Sequence, residues 1–358
     1  MPEPGSVLLI GNFLSRSGAA RQVCEELALR LEDSGWRVHT SSPVRNKLLR
    51  MADMMRTAWT RRNEYDIAQI DVFSGSAFRW AEAAAWTLRR AHRPYILTLH
   101  GGNLPEFAKT NPDRVRRLLA SAAAVTAPSG YLVEAMRPFR EVIALPNGID
   151  FEAYPYRHRA SVTPKLVWVR SFHKLYNPSM AVGVVARLAA EFPSIRLTMV
   201  GPDKGDGSFQ AVQNEARQAG VADRIEFIPG VPKSEVPATI SRGDIFLNTT
   251  DFDNTPVTVL EAMACGACVV TTDAGGIPYL VQNEANGLVV PKGDAAAMAA
   301  AVRRLLIDPE LAAHLSAGAR AKAAQADWTT VLAAWQRLLR AHVDPQIRPA
   351  GEALRSHS

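Results

Sequence analysis

The sequence predicts an α/β protein built from two doubly wound parallel sheets. Three observations carry that expectation. Strand and helix signals alternate along nearly the whole chain, as in βαβ units. The strand candidates are continuous apolar runs, which suits strands covered on both faces. The rhythm also breaks at a turn-rich stretch near the middle and then restarts. A length of 358 residues agrees with two domains, at about 100–200 residues each.

The first half opens with SVLLIG (6–11), followed by an amphipathic stretch at 19–31. Ser34-Gly35 stops that helix and WRVHTSS (36–42) reads as the second strand. YDIAQIDV (65–72), a helical stretch near 76–91, YILTLH (95–100), AAVTAPS (123–129) and EVIALP (141–146) complete the half. The seam, 143–164, is rich in turn residues, with Pro146-Asn147-Gly148 as a turn. KLVWVRS (165–171), IRLTMVG (195–201), RIEFIPG (224–230), DIFLNT (244–249) and ACVVTT (267–272) are the strands of the second half. Three helices are expected near 293–307, 308–323 and 327–342. The expected division is a first domain over 1–150, a linker over 151–164 and a second domain over 165–325. A C-terminal helix over 326–343 returns toward the first domain, and a polar tail follows over 344–358.

Composition narrows the class. Hydrophobic residues make up 47%, enough for two cores and too many for a disordered chain. No apolar run approaches the ~18–20 residues of a spanning helix. The N-terminal sequence lacks the basic segment and apolar length of a signal peptide. Three cysteines cannot form a disulfide framework. A cytoplasmic protein is therefore expected. The net charge of +6 is compatible with anionic ligands, a membrane surface or nucleic acid, and selects none of them.

Ligands of such sheets bind beyond the carboxyl ends of strands. With two such domains, the expected site is the cleft between them. The densest segment is TDFDNTPVTVLEAMACGACVVTTDAGG (250–276). Thr255 is a good N-cap, Pro256 suits the first helical position and Gly266 is a stop, predicting a helix over 256–265. Its N-terminus directs the free N–H groups of Val257 and Thr258 outward, an arrangement suited to an anion. Asp253 and Glu261 flank it. Carboxylates repel phosphate but accept hydrogen bonds from sugar hydroxyls. A capped core helix with an incidental acid is the plainer alternative. In KLVWVRSFHKLYNPSMAV (165–182), Arg170 and Lys174 form a candidate diphosphate clamp, with His173 beside them. Ordinary solvated cations are the alternative there. In YILTLHGGNLPEF (95–107), His100 ends a strand, and Gly101 and Gly102 admit a ligand close to the backbone. A structural histidine is the alternative. GNFLSRSGAARQ (11–22) carries Gly11 and Gly18 but no dinucleotide GxGxxG.

VLEAMACGACVVTTDAGG, preceded by DNTPVT, resembles the signature of family 4 retaining glycosyltransferases of the GT-B fold, and the resemblance extends over about residues 5–340. It implies two Rossmann-like domains facing across a cleft, the second binding a nucleotide sugar. By that resemblance Glu261 holds the ribose, and Asp253, replacing the family's first glutamate, orients the donor sugar. Arg170 and Lys174 stabilise the leaving diphosphate, and His100 faces the donor. Asn254, Thr255, Val257, Thr258, Ile228 and Gly18 become donor contacts. Gly101, Gly102 and Asn103 lie on the acceptor side. The implied reaction is transfer of a hexose from a UDP- or GDP-sugar, UDP preferred, without metal or other cofactor. The acceptor would be a saccharide, a lipid-linked molecule or a small metabolite, as in cell-surface polysaccharide or glycolipid synthesis. A GT-B-like epimerase and a non-catalytic scaffold are the alternatives, and nucleic acid is not an expected partner.

Two other features stand apart from that chemistry. Cys265-Gly-Ala-Cys268 is formally a CxxC, but it sits in the helix-to-strand turn and reads as a buried structural pair. The stretch 44–62, VRNKLLRMADMMRTAWTRR, is a basic amphipathic helix with Leu48, Met51, Ala52, Met55 and Trp59 on one side. That stripe either packs on the first sheet, the preferred placement, or lies on an anionic membrane.

Overall fold

The computed structural model describes residues 5–15, 22–100 and 103–343. The chain divides into two compact units. One runs to Gly148 and resumes at Thr329; the other spans Ile149–Trp328.

The first unit holds a parallel sheet of six strands: β1 (Ser6–Ile10), β2 (Arg37–Ser41), β3 (Ile67–Val72), β4 (Tyr95–Leu99), β5 (Ala124–Ala127) and β6 (Ile143–Ala144). Their order is β2-β1-β3-β4-β5-β6, with β1 between β2 and β3. The second unit holds β7 (Lys165–Val169), β8 (Arg196–Val200), β9 (Ile225–Ile228), β10 (Ile245–Asn248), β11 (Cys268–Thr272) and β12 (Leu288–Val290). Here the order is β12-β11-β10-β7-β8-β9, again parallel throughout. Strand β12 was not among the expected strands; it is three residues long.

Both sheets are covered on two faces, which is why the strands read as continuous apolar runs. In β7, Leu166 and Trp168 feed one core while Val167 and Val169 feed the other, as the alternation of a pleated strand requires. The stretch 151–164, expected as a linker, is packed into the second unit. Arg159 is 1% exposed, and Thr163 donates through N–H and Oγ1 to Asp244 Oδ2 (2.9 and 2.6 Å). The helix Trp328–Val343 is counted with the first unit from Thr329 onward and buries Val331, Trp335 and Leu339 at four-residue spacing.

The helix Lys47–Thr60 departs from expectation in a specific way. Its buried residues are Arg50, Met54 and Ala58. The stripe expected to face the core is turned outward at Leu48 (73% exposed) and Trp59 (46%). Arg50 is the reason. Its guanidinium donates to the Val44 and Arg45 carbonyls and to Asn12 Oδ1, at 2.6–2.9 Å, which rolls the helix onto its Arg50–Met54–Ala58 side. Among the described residues no helix is long and apolar enough to cross a membrane.

Candidate active site

In the second sheet the strand order reverses between β7 and β10. Ligands of doubly wound sheets bind beyond the carboxyl ends of the strands at such a point. Arg170 follows β7 directly, and the loop 249–256 follows β10. The segments after these strands are fastened to each other. Thr249 Oγ1 donates to the Tyr176 carbonyl (2.7 Å), and Thr250 Oγ1 donates to the Leu175 carbonyl (3.2 Å). The Asp251 N–H donates to the same Leu175 oxygen (2.9 Å), and Asn177 Nδ2 reaches Asp251 Oδ1 (3.2 Å).

This stitching brings Arg170 and Asp253 together. Arg170 Nη2 is ion-paired with Asp253 Oδ2, while Asp253 Oδ1 accepts the Asn254 N–H (2.8 Å). The guanidinium lies 4.5 Å from the Tyr176 ring centroid. Its Nε is buried without a hydrogen-bond partner. Burial pushes the guanidinium down from its ordinary value, and Tyr176 and Glu261 partly oppose that.

Glu261 lies on the helix Val257–Ala264 and is 4% exposed. Burial pushes its carboxyl up. A hydrogen bond from the Tyr154 hydroxyl to Oε1 (2.7 Å) and the charges of Lys233 and Arg170 pull the other way. Tyr154 is itself pushed up by burial and then by Glu261. Neither Tyr154 nor Lys233 was singled out in the sequence.

The helix begins one residue later than expected. Pro256 occupies the N-cap position with ψ 110°, an extended value, and Val257 is the first helical residue. Thr255 therefore does not cap it. Instead Thr255 Oγ1 and Thr258 Oγ1 are both buried without partners, an arrangement native interiors rarely leave unexplained. At the other end Gly266 has φ +71°. Its N–H bonds the Met263 carbonyl and the Ala267 N–H bonds the Ala262 carbonyl, a Schellman stop. A second glycine fixes the acid loop. Gly275 has φ +60°, and a Cβ there would lie 2.1 Å from the Asp253 carbonyl oxygen. The adjacent Gly276 N–H donates to that same oxygen (2.8 Å).

The other expected donor residues are placed less directly. Lys174 is exposed, and its N–H donates to Asp206 Oδ2 (2.9 Å), holding the Asp206 carboxyl down at about 2. His173 accepts the Leu175 N–H through Nδ1 (3.1 Å) and so caps the turn 174–176. The Ile228 carbonyl accepts the Gly201 N–H (3.1 Å) at the end of β9. Gly18, Gly101 and Gly102 lie outside the described residues.

The first unit carries its own polar cluster. His100 Nε2 is 2.9 Å from Asp71 Oδ1, and the imidazole stacks 5.5 Å from Phe73. Asp71 is held further by Gln69 Nε2 (2.8 Å), which also donates to Thr98 Oγ1 (2.8 Å). Burial would raise the Asp71 carboxyl, but His100, Gln69 and Cys24 keep it below its ordinary value. Asn103 occupies the N-cap position of the helix Leu104–Thr110 without a side-chain cap bond. Asp71 was missed in the sequence, although an acid within an apolar strand run was a usable signal.

Cys24, Cys265 and Cys268 are free and buried. The CxxC thiols face separate acceptors, the Pro237 carbonyl (4.0 Å) and the Ala312 carbonyl (3.4 Å).

Residues 157–322 match the model described as Glycosyl transferases group 1, and residues 18–153 match Glycosyltransferase Family 4. A GDP-mannose-dependent alpha-(1-6)-phosphatidylinositol monomannoside mannosyltransferase of Mycolicibacterium smegmatis is 27% identical over 279 residues, covering 72% of each chain. A D-inositol 3-phosphate glycosyltransferase of Saccharomonospora viridis is 25% identical over 304 residues, 77% of this chain and 70% of its own length. Among solved structures, Anabaena HepE in complex with UDP and glucose superposes with a TM-score of 0.73 at 18% identity, covering 94% of this chain and 100% of that one. The sucrose-phosphate synthase of Thermosynechococcus elongatus gives 0.76 at 18% identity, with 94% and 98% covered. The two family matches together take in most of the chain, and the chain belongs to the group 1 glycosyltransferases, enzymes of the GT-B fold.

Proposed function

We propose that this glycosyltransferase moves a hexose from a nucleoside-diphosphate sugar to a hydroxyl acceptor, with retention of anomeric configuration and without a metal ion. The observation that carries the proposal is the grouping at the strand-order reversal of the second sheet. Arg170, Asp253 and Glu261 gather there, with the partnerless hydroxyls of Thr255 and Thr258 at a helix N-terminus.

Each group has a chemical role. Arg170 and the first amides of the helix Val257–Ala264 meet the charge that develops on the departing diphosphate. Fixed cations and dipoles aimed at such charge are worth more than flexible ones. Arg170 then exchanges part of its bond to Asp253 for phosphate oxygens, and Asp253 is released to accept from a sugar hydroxyl. Thr255 and Thr258 donate to the phosphate oxygens. Glu261, whose carboxylate form is favoured by Tyr154, Lys233 and Arg170 against its burial, accepts from the ribose hydroxyls. Lys174 is exposed enough to swing toward the diphosphate. His100, oriented by Asp71, serves the acceptor.

Relatives differ in the base that their names report, GDP in the mycobacterial mannosyltransferase and UDP in the HepE complexes. UDP is the working donor, and lipid-linked or polysaccharide hydroxyls are the working acceptors. The decisive experiment is a thermal shift with UDP, GDP and ADP, with and without EDTA, followed by turnover of the matching sugars. Stabilisation by one nucleotide, insensitive to EDTA and lost in Glu261→Ala, is expected. Product NMR then reads the anomeric configuration. No shift with any nucleotide would overturn the donor-site assignment. Donor consumed without any acceptor would favour the epimerase or hydrolase alternative.

A further inference from the structure

The helix Lys47–Thr60 has two apolar stripes, and the fold uses only one. Arg50, Met54 and Ala58 face inward. Met55 and Trp59 lie seven and eleven positions beyond Leu48, so the three fall within about 40° of one another on a helical wheel. Leu48 is 73% exposed and Trp59 46%. Leu49, one position on, is 63% exposed. Three large apolar side chains on one short helix therefore face solvent, where scattered single ones need no explanation.

The surroundings of this face are cationic. Arg45, Lys47 and Arg56 are exposed around it, and Arg61, also exposed, is ion-paired with Glu64 (3.6 Å). Arg62 lies with its guanidinium 4.7 Å from the Trp59 ring centroid. Between residues 44 and 62 the single acid is Asp53, a half-buried residue within 3.5 Å of Ser41 Oγ. The neighbouring helix Phe78–Arg90 repeats the pairing, with Trp86 49% exposed and Arg90 at 5.3 Å. An exposed Trp backed by Arg is suited to the boundary between headgroups and acyl chains.

We infer that this face docks the enzyme on an anionic lipid surface, with the helix lying in the plane of the interface. The geometry meets the requirements of that environment. A helix of fourteen residues presents about 21 Å of length. Asn46 Oδ1 accepts the N–H groups of Leu48 and Leu49 (3.0 and 3.2 Å), so the end that carries the two leucines brings satisfied amides toward the apolar layer. Arg50 ties that end to the preceding turn at the Val44 and Arg45 carbonyls and to the body at Asn12 Oδ1, so the leucines are presented by a fixed element. The apolar side chains supply insertion, and the cations supply attraction to anionic headgroups. A second copy of the chain is a poor occupant, because the cationic rim would meet itself.

The test is flotation of the full chain with vesicles of phosphatidylcholine alone, or with about a third phosphatidylglycerol. Binding to the anionic vesicles, weakened by salt and slight on the neutral ones, is expected. Leu48→Ser with Leu49→Ser should lower vesicle affinity by about tenfold or more while leaving the melting temperature and soluble-acceptor turnover unchanged. Arg45→Gln with Arg56→Gln should reduce the salt dependence. Brominated lipids should quench the fluorescence difference between the parent and Trp59→Phe. Equal affinity of the parent and the leucine variant would overturn the inference, as would absence of binding to anionic vesicles. A concentration-dependent dimer abolished by the leucine substitutions would also overturn it and assign the face to a second copy.

Discussion

Replacing Tyr154 by Phe removes one atom from the candidate donor site and tests its electrostatics directly. Both Tyr154 and Glu261 are 4% exposed, and the hydroxyl donates to Glu261 Oε1 at 2.7 Å. Hydrogen bonds to charged groups contribute about 1.5–3 kcal/mol. Losing one in a unit of this size lowers the melting temperature by roughly 3–12 °C, at about 2–4 °C per kcal/mol. The pH dependence discriminates this cause from lost packing. Burial raises the folded-state pKa of Glu261 above its unfolded value. Between those two values the native state binds more protons than the unfolded one, so this group's contribution falls as pH rises through the window. The Tyr154 hydrogen bond lowers the folded pKa, so Tyr154→Phe raises it further and widens the window. The variant should match the parent near pH 4 and fall progressively below it toward pH 8. If Glu261 holds the nucleotide as proposed, nucleotide-induced stabilisation should acquire a higher midpoint pH in the variant. The assay is thermal denaturation across pH, with and without nucleotide. A loss of equal size at pH 4 and pH 8 would refute the reasoning, since packing alone would then account for it.

Arg170→Ala should lower kcat by about 10²–10³, the loss seen when one preorganised donor to developing charge is removed, with a smaller change in the Kd for nucleotide by calorimetry. Gly275→Ala should impair turnover strongly, because the new Cβ meets the Asp253 carbonyl and because a positive φ costs a non-glycine residue about 1–2 kcal/mol; a fully active variant would show that the loop adapts. Asp71→Asn should reduce turnover by loosening His100 while leaving nucleotide affinity intact, read by kinetics beside calorimetry. Ellman's reagent at pH 8 should label none of Cys24, Cys265 and Cys268 until the chain is denatured. All three are buried, and burial pushes their thiols up, to about 12 for Cys268.

Features set by neighbours in sequence were legible; features set by distant partners were not. Strands such as SVLLI and CVVTT could be read because both faces of each are buried, which leaves an uninterrupted apolar run. The Gly266 stop was equally local. By contrast, Tyr154 and Glu261 are 107 positions apart, and Asp71 and His100 are 29 apart. No spacing rule links such pairs, so the acids' partners emerged only in the fold. Strand β12 is too short for a periodicity. The helix Lys47–Thr60 failed differently. Helical period predicts the angle between two apolar stripes but not which one faces inward, and that choice was made by Arg50, a residue a hydropathy pattern places outside.

Arg170 shares an unusual trait with Arg159, and the contrast between them identifies the one suited to a ligand. Each is an arginine near an aspartate, Arg159 fully buried and Arg170 half-buried, with a buried Nε that lacks a hydrogen-bond partner. Arg159 spends its terminal nitrogens on three backbone carbonyls, those of Arg157, Cys265 and Gly243. Those bonds tie the entry segment of the second unit to the end of one helix and the start of β10, and they leave no direction open. Arg170 has a carboxylate, a ring face and no carbonyl among its described partners. A carboxylate can be exchanged for a phosphate oxygen, because both offer an anionic acceptor to the same planar fork. A set of main-chain carbonyls cannot be exchanged without unmaking the fold. Arg159→Met should therefore lower the melting temperature and impair activity only through folding. Arg170→Met combined with Asp253→Leu should change nucleotide binding at little loss of stability, since a desolvated ion pair is often replaceable by apolar volume when both partners go together. If the two variants lost stability equally while nucleotide affinity stayed unchanged in both, Arg170 would be a second staple, and the donor diphosphate would have to be held elsewhere.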